Sequence, residues 1–365
     1  MLFISQSKPT SLSWLRLVAI SLLSCAGLAV ANDAPSRWGD VEPSSDAGGH
    51  ISGKISHRLA DRSVLLSPFG ETNPLANVKG VPTAGGTTAA SKLITYHGGP
   101  VMPTVSKIVV IWYGNWNQSN GSDTPAGQQL IRDALYGLSV TPDGSFTNYS
   151  GITTGRSSSL GLFTQTGGQS VNQISSATLT EFSQAESKTY GSKKLTDSKV
   201  LALVKAFAGK PDPNAIYLVL SASDIEETSG FLTQYCGWHS YSTVSGVAMK
   251  YGFIGNPNRS LSACAAQTVS PNANPAVDAM ISVIAHELAE AATDPKLNAW
   301  YNKNGDENAD MCAWTFGSAL TQESNTSYSN VTLPKPGGGT RRYLLQRALA
   351  PSNSKCYINA TGSVQ

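Results

Sequence analysis

Apolar positions first gather into foldable patterns near Leu93. The run Lys107-Ile108-Val109-Val110-Ile111-Trp112-Tyr113 is β-branched and aromatic and is closed by Gly114-Asn115, which predicts a buried strand. Residues 128–136 place Leu130, Ile131, Ala134 and Leu135 at helical spacing. Thr196-Asp197 supplies an N-cap for a helix over 198–208, with Val200, Leu201, Val204 and Phe207 on its apolar face. Pro211-Asp212-Pro213 ends that helix, and 215–220 reads as a second buried strand. Further strands are predicted over 247–254 and near 342–347. The strongest helical pattern covers 276–295, opened by Asn274-Pro275 and closed by Pro295. Val277, Met280, Ile281, Ile284, Leu288 and Ala291 form its core-facing stripe. Strands mixed with helices predict an α+β fold of mixed α/β layers, with a mixed sheet at its centre.

Upstream of Leu93 the pattern changes twice. Lys8 and Arg16 precede a fifteen-residue apolar run over 17–31 that ends in Ala29-Val30-Ala31. A basic start, a short apolar stretch and an A-x-A ending predict a secretory signal peptide over 1–31. A membrane anchor is the competing reading, but a spanning helix needs about 20 apolar residues. Residues 32–92 are rich in Gly, Ser, Ala, Pro and Thr and are read as a flexible linker or pro-region, with an inhibitory propeptide as the alternative. The patterned domain then occupies 93–361.

Charge narrows the function classes. The chain carries 26 Lys plus Arg against 24 Asp plus Glu, and removing Lys8 and Arg16 with the signal leaves 24 against 24. A neutral mature chain has no electrostatic basis for binding nucleic acid or an anionic membrane. Four cysteines remain after Cys25 is removed: Cys236, Cys264, Cys312 and Cys356. In an oxidising compartment they read as two disulfides with three possible connectivities. Short sequence separation favours Cys236–Cys264, and Cys312–Cys356 would tie an acidic loop to the C-terminal strand.

The chemistry centres on His286-Glu287-Leu288-Ala289-Glu290 within the 276–295 helix. His286 and Glu290 are four residues apart and share a face, while Glu287 is turned away by about 100°. This is the HExxH zincin pattern with its second His replaced by Glu, which predicts a zincin-like domain with a metal-site helix. His286 and Glu290 are the candidate ligands, and Glu287 is the candidate general base beside an open position that faces a groove. Asp310 is the leading third ligand, with Glu307, His239 and His97 as alternates. Zn2+ is the expected ion, with Ca2+ or Mn2+ as alternatives because the extra carboxylate tilts selectivity toward harder ions. The competing reading is an i, i+4 hydrogen-bonded pair that satisfies a half-buried face. No G-x-S-x-G elbow or phosphate-binding loop is present.

Several blocks carry a resemblance. They are Tyr96-His97-Gly98-Gly99-Pro100-Val101-Met102, Ile111-Trp112-Tyr113-Gly114-Asn115-Trp116, Cys236-Gly237-Trp238-His239 and Met280-Ile281-Ser282-Val283-Ile284-Ala285-His286-Glu287. Asn298-Ala299-Trp300-Tyr301, Arg341-Arg342-Tyr343-Leu344-Leu345-Gln346 and the pair Asp310 and Cys312 complete them. In this order, over about 93–357, the chain resembles the EXORDIUM or phosphate-induced protein family. The resemblance implies a secreted protein of the cell exterior or wall, with a partner there. Two functions follow as expectations: a zinc-dependent, peptidase-like hydrolase, or a non-catalytic growth or signalling protein in which an ion only stabilises the fold.

Export has a direct check. N-terminal sequencing of secreted protein is expected to start at or near Asn32, and recovery of intact Met1 in the cytosol would sink this reading.

Overall fold

The computed structural model describes residues 55–58, 94–102, 105, 107–139, 178–185, 193–318, 320–350 and 355–357. The predicted signal segment 1–31 lies outside them, as does all of 32–92 apart from 55–58. In chain order the strands begin with β1 (Ile55–Arg58), β2 (Thr95–Tyr96) and β3 (Lys107–Tyr113), followed by helix α1 (Pro125–Ser139). Strands β4 (Thr178–Ala185) and β5 (Lys194–Leu195) precede α2 (Asp197–Ala208). After it come β6 (Ala215–Ser221), β7 (Glu226–Glu227), β8 (Tyr235–Val244) and β9 (Val247–Gly255). The long helix α3 (Pro275–Thr293) is followed by β10 (Trp300–Tyr301) and three small ribbons. These are β11 (Thr321–Gln322) with β12 (Tyr328–Ser329), β13 (Val331–Pro334) with β14 (Thr340–Tyr343), and β15 (Ala348–Ala350) with β16 (Lys355–Tyr357).

Six strands form the central sheet in the order β1-β8-β9-β6-β3-β4. Strands β9, β6, β3 and β4 run parallel, whereas β1 and β8 are antiparallel to their neighbours. Alternation along the strands feeds two separate cores. Ile108, Val110 and Trp112 of β3, with Ile216, Leu218 and Leu220 of β6, point to the face covered by α1 and α3. Val109, Ile111 and Tyr113, with Tyr217 and Val219, point to the face covered by α2. Strands β3 and β6 are buried on both faces, which is why their sequences read as continuous apolar runs. The fold is therefore a mixture of helix and sheet in layers, consistent with the α+β expectation.

Three local results differ from the sequence reading. Strand β8 was not anticipated, although it carries His239. Its signal is the Ser245-Gly246 pair, which joins Val244 to its partner Val247 in a two-residue hairpin loop. Both loop residues have positive φ, 51° and 78°, as a type I′ turn requires. The strand expected near 342–347 instead ends at Tyr343. Beyond it, the Asn330 side chain takes over the backbone of Leu345, accepting its N–H at 2.9 Å and donating to its carbonyl at 2.7 Å. A side-chain amide thus replaces a strand partner. Finally, α3 is buried on every side along 276–293, including Asp278, Ser282, His286, Glu287 and Glu290.

Its caps explain where α3 begins and ends. The Asn274 side chain accepts the Val277 N–H at 3.3 Å, and Pro275 occupies the first turn, where a missing N–H costs nothing. The Cys236–Cys264 and Cys312–Cys356 disulfides span Cα–Cα distances of 5.6 and 5.8 Å. Among the described residues, no helix is long and apolar enough to cross a membrane.

Close packing of α3 on β8 depends on Gly237. A Cβ there would lie 2.7 Å from Val283 Cγ1 and 3.1 Å from the Phe253 carbonyl. Gly237→Ala is expected to destabilise by roughly 1–3 kcal/mol through overpacking, read as a lower denaturant midpoint. Val283→Ala should recover part of the loss in the double variant. Equal midpoints for wild type and Gly237→Ala would refute the close-approach argument.

Candidate metal centre

Two residues along an extended strand advance about 6.7 Å, and four along a helix advance 6 Å. Starting from the Gly237–Val283 contact, this match carries His239 to the level of Glu287. His239 Nδ1 lies 3.0 Å from Glu287 Oε2 and 3.6 Å from Glu290 Oε2. One helical step away, His286 Nε2 lies 3.1 Å from Glu290 Oε1. The sheet and the helix thus deliver two imidazoles and two carboxylates to one place.

The third contribution comes from the segment after β10. The Tyr96-His97-Gly98-Gly99 block holds that segment against the end of α3. Trp300 pairs with Tyr96, and the Gly99 N–H reaches the Asn298 carbonyl at 2.9 Å. A Cβ at Gly99 would fall 2.1 Å from Asn298 Oδ1, so only glycine allows this approach. Asn302 then closes a tight loop by accepting the Asn304 and Asp306 N–H groups at 2.8 and 3.0 Å. The loop leads into a short 3-10 turn, Asp310–Cys312, anchored by the Cys312–Cys356 disulfide. Asp310 Oδ1 sits 3.5 Å from His286 Nε2, and the Asp310 N–H donates to Glu290 Oε1 at 2.9 Å. Glu307 Oε2 lies 3.6 Å from His239 Nε2.

Of the residues singled out in the sequence, the structure brings together His286, Glu287, Glu290, Asp310, Glu307 and His239. His97 stands apart: it is exposed, stacked on Tyr301 at a centroid distance of 3.6 Å, and bonded to the Tyr301 carbonyl at 3.1 Å. The expectation that Glu287 faces a groove is corrected. Its side chain is 0% exposed and engaged with His239, because β8 packs against this part of α3. A cleft at the N-terminal half of α3, lined by Gln267, Asp278, Ser282, Trp314 and Gln346 among others, includes none of the cluster residues. Sequence reasoning missed one member, Asp294, the C-cap of α3. The four-residue steps 278, 282, 286, 290 and 294 on that helix are the signal that points to it.

Burial sets the electrostatics. Asp294 is pushed up to about 7 by burial, against two N–H donors from Ala299 and Asn298. Glu290 is pushed up to about 7 by burial and then by the Asp310 carboxylate. Burial, and then the charges of Asp294, Glu290, Asp310 and Glu287, hold Glu307 well above the usual carboxylate range. Burial disfavours a charged His286, but Glu290 and Asp310 outweigh it and raise its pKa well above 6.5. Asp294 and Glu307 lie against each other, so a bond between them requires one to keep its proton.

Elsewhere this fold satisfies buried carboxylates with donors. Asp123 accepts the Ser223 N–H at 2.9 Å and the Asn256 amide at 2.8 Å. Glu227 accepts the Ser229 N–H at 3.0 Å and the Tyr235 hydroxyl. In the cluster, by contrast, Glu290 Oε2 accepts no hydrogen bond among the described residues, and Glu307 faces the Asp294 carboxylate in place of a donor group. Donor atoms of His286, Glu290 and Asp310 lie within 4.8 Å of one another, as do those of His239, Glu287 and Glu290. Oxygen and imidazole donors without thiolates suit Zn2+, Mn2+ or Ca2+, and the donor-poor oxygens are what a cation would satisfy.

Comparison with known proteins points the same way as the sequence blocks. The model of the phosphate-induced protein 1 conserved region matches residues 94–359. EXORDIUM-like 3 of Arabidopsis thaliana is 28% identical over 69% of this chain and 79% of its own length. EXORDIUM-like 5 of the same plant is 28% identical over 72% and 77%. PHOSPHATE-INDUCED 1 of Nicotiana tabacum is 25% identical over 73% and 88%. No solved structure matches the chain.

The raised carboxylates give stability a testable pH sign. In protein stripped of divalent ions, Glu290 and Asp294 titrate near 7 when folded and near 4 when unfolded. The folded state therefore binds more protons, so this contribution is full below about pH 4 and is lost as pH rises through about 7. Thermal melts in chelator are expected to show Tm falling between pH 5.5 and pH 8. A Tm that climbs over that window would contradict this account of the cluster.

Proposed function

This chain belongs to the phosphate-induced protein 1 family, and from that premise we propose that it acts at the cell exterior as a non-catalytic protein stabilised by a buried divalent cation. Its partner on this reading is an extracellular or cell-wall component. The 17–31 apolar run and the two disulfides support export, since disulfides persist in oxidising compartments.

One observation carries the non-catalytic reading: His286, Glu287 and Glu290 are completely buried on a helix that is itself enclosed. A hydrolase must bring a scissile bond and a water to its metal and its base. His286, Glu290 and Asp310 would hold the ion, Zn2+ in preference to Ca2+ or Mn2+. When bound, the ion supplies positive charge that offsets the buried carboxylates. The residues themselves then fasten three pieces of chain, because Asp310 belongs to the loop after β10 and His239 to β8. Removing one partner from such a buried charged set is strongly destabilising, by roughly 3–5 kcal/mol.

The second reading is a zincin-like, peptidase-like hydrolase. It is favoured by the order His286-Glu287 with Glu290 one turn on, which places a candidate base beside a candidate ligand. On that reading Glu287 accepts a proton from the attacking water. Its contact with His239 at 3.0 Å would have to open first.

Chelation and one substitution separate the two. Zn2+ at about 100 times its Kd should add about 2.7 kcal/mol, raising Tm by roughly 5–10 °C over chelated protein. No cleavage of a casein substrate is expected. Cleavage that disappears in Glu287→Gln, with Zn2+ at His286, Glu290 and Asp310 retained, would establish the hydrolase instead.

A further inference from the structure

The geometry points to a second cation position in this cluster, so that the centre holds two divalent ions bridged by the Glu290 carboxylate. The inference rests on the buried cation proposed above and adds a second one.

Glu290 uses its two oxygens on opposite sides. Oε1 faces His286 Nε2 at 3.1 Å and receives the Asp310 N–H at 2.9 Å. Oε2 turns the other way, 3.6 Å from His239 Nδ1, and accepts no hydrogen bond among the described residues. On that side His239 Nδ1 and Glu287 Oε2 are 3.0 Å apart. The His239, Glu287 and Glu290 donor atoms therefore form a set as tight as that of His286, Glu290 and Asp310, and Glu290 belongs to both. A carboxylate that gives one oxygen to each of two ions matches the two-metal spacing of about 3.5–4 Å.

Glu290 Oε2 is the independent observation: it is buried, points into this second set and accepts no hydrogen bond among the described residues. An oxygen buried in this way, with Asp123 and Glu227 showing how the same fold supplies donors where it can, is aimed at a charge. Glu307 adds negative charge from the far edge of the ring: its side chain is 0% exposed and Oε2 lies 3.6 Å from His239 Nε2. Five carboxylates meet here: Glu287, Glu290, Asp294, Glu307 and Asp310. One divalent ion offsets two of them, and two ions offset four. The ligand chemistry is oxygen-rich with one imidazole per ion, which fits Zn2+ and Mn2+.

Native mass spectrometry of the disulfide-intact protein, stripped and reloaded with Zn2+, counts the ions. Two Zn2+ per chain are expected, falling to one in His239→Gln. Reloading with Mn2+ should give the spectrum of an exchange-coupled pair in electron paramagnetic resonance, and His239→Gln should return the six-line signal of isolated Mn2+. Should His239→Gln fail to fold, the wild-type count and wild-type spectrum decide the matter. A single Zn2+ per chain with an isolated Mn2+ signal overturns the bridge. It would mean that His239 donates Nδ1–H to Glu287, and it would leave the one-ion reading standing. No bound ion overturns both.

Discussion

Helix α3 is buried along its whole length, and the rest of the structure answers that constraint. Its apolar stripe packs on the sheet and on α1. Its polar residues recur every four positions as Asp278, Ser282, His286 and Glu290, ending at the cap Asp294, and each must be met from outside the helix. The Asn272 amide and backbone N–H meet Asp278 at 2.7 and 3.0 Å. The Gln346 N–H meets Ser282 at 3.2 Å. The backbone of 298–299 meets Asp294 at 2.6 and 2.7 Å. Only His286 and Glu290, in the middle, face a place where carboxylates outnumber donors. Leaving buried charge uncompensated costs several kcal/mol per group, so that place sets the chemistry of the protein.

The segments after α3 are built to hold that place together. The Tyr96 to Gly99 block fixes 298–301, the Asn302 loop turns the chain, and Cys312–Cys356 pins the turn that carries Asp310. Thr293 on the last turn of α3 also approaches Asn308 of this loop. Each disulfide contributes about 2–4 kcal/mol by restricting the unfolded chain. The bridges lie on either side of the cluster: Cys236 is three residues before His239, and Cys312 is two residues after Asp310. The family blocks of this chain are thus largely the parts that position the cluster, rather than a lining for a cleft.

Much of this was legible in residue pattern. The strands Lys107–Tyr113 and Ala215–Ser221 announced themselves as apolar β-branched runs, because strands buried on both faces need apolar residues at every position. The caps Thr196 and Asn274 located α2 and α3, because the orphan N–H groups of a first turn demand a local acceptor. His286 and Glu290 were legible as a pair, because helical periodicity alone brings i and i+4 together. What the periodicity did not reveal is that the face opposite the apolar stripe is buried as well. That depends on segments such as those carrying Asp310 and Gln346 reaching α3 from beyond β10, and no local rule encodes contacts so distant along the chain. For the same reason Glu287 read as a base at a groove and proved to be a partner of His239. The sequence by itself determined the strands Lys107–Tyr113 and Ala215–Ser221, the helices α2 and α3, the family and the His286–Glu290 pair. Only the tertiary structure decided that β8 and the loop after β10 close on that pair, because burial of charge is a property of the assembled layers.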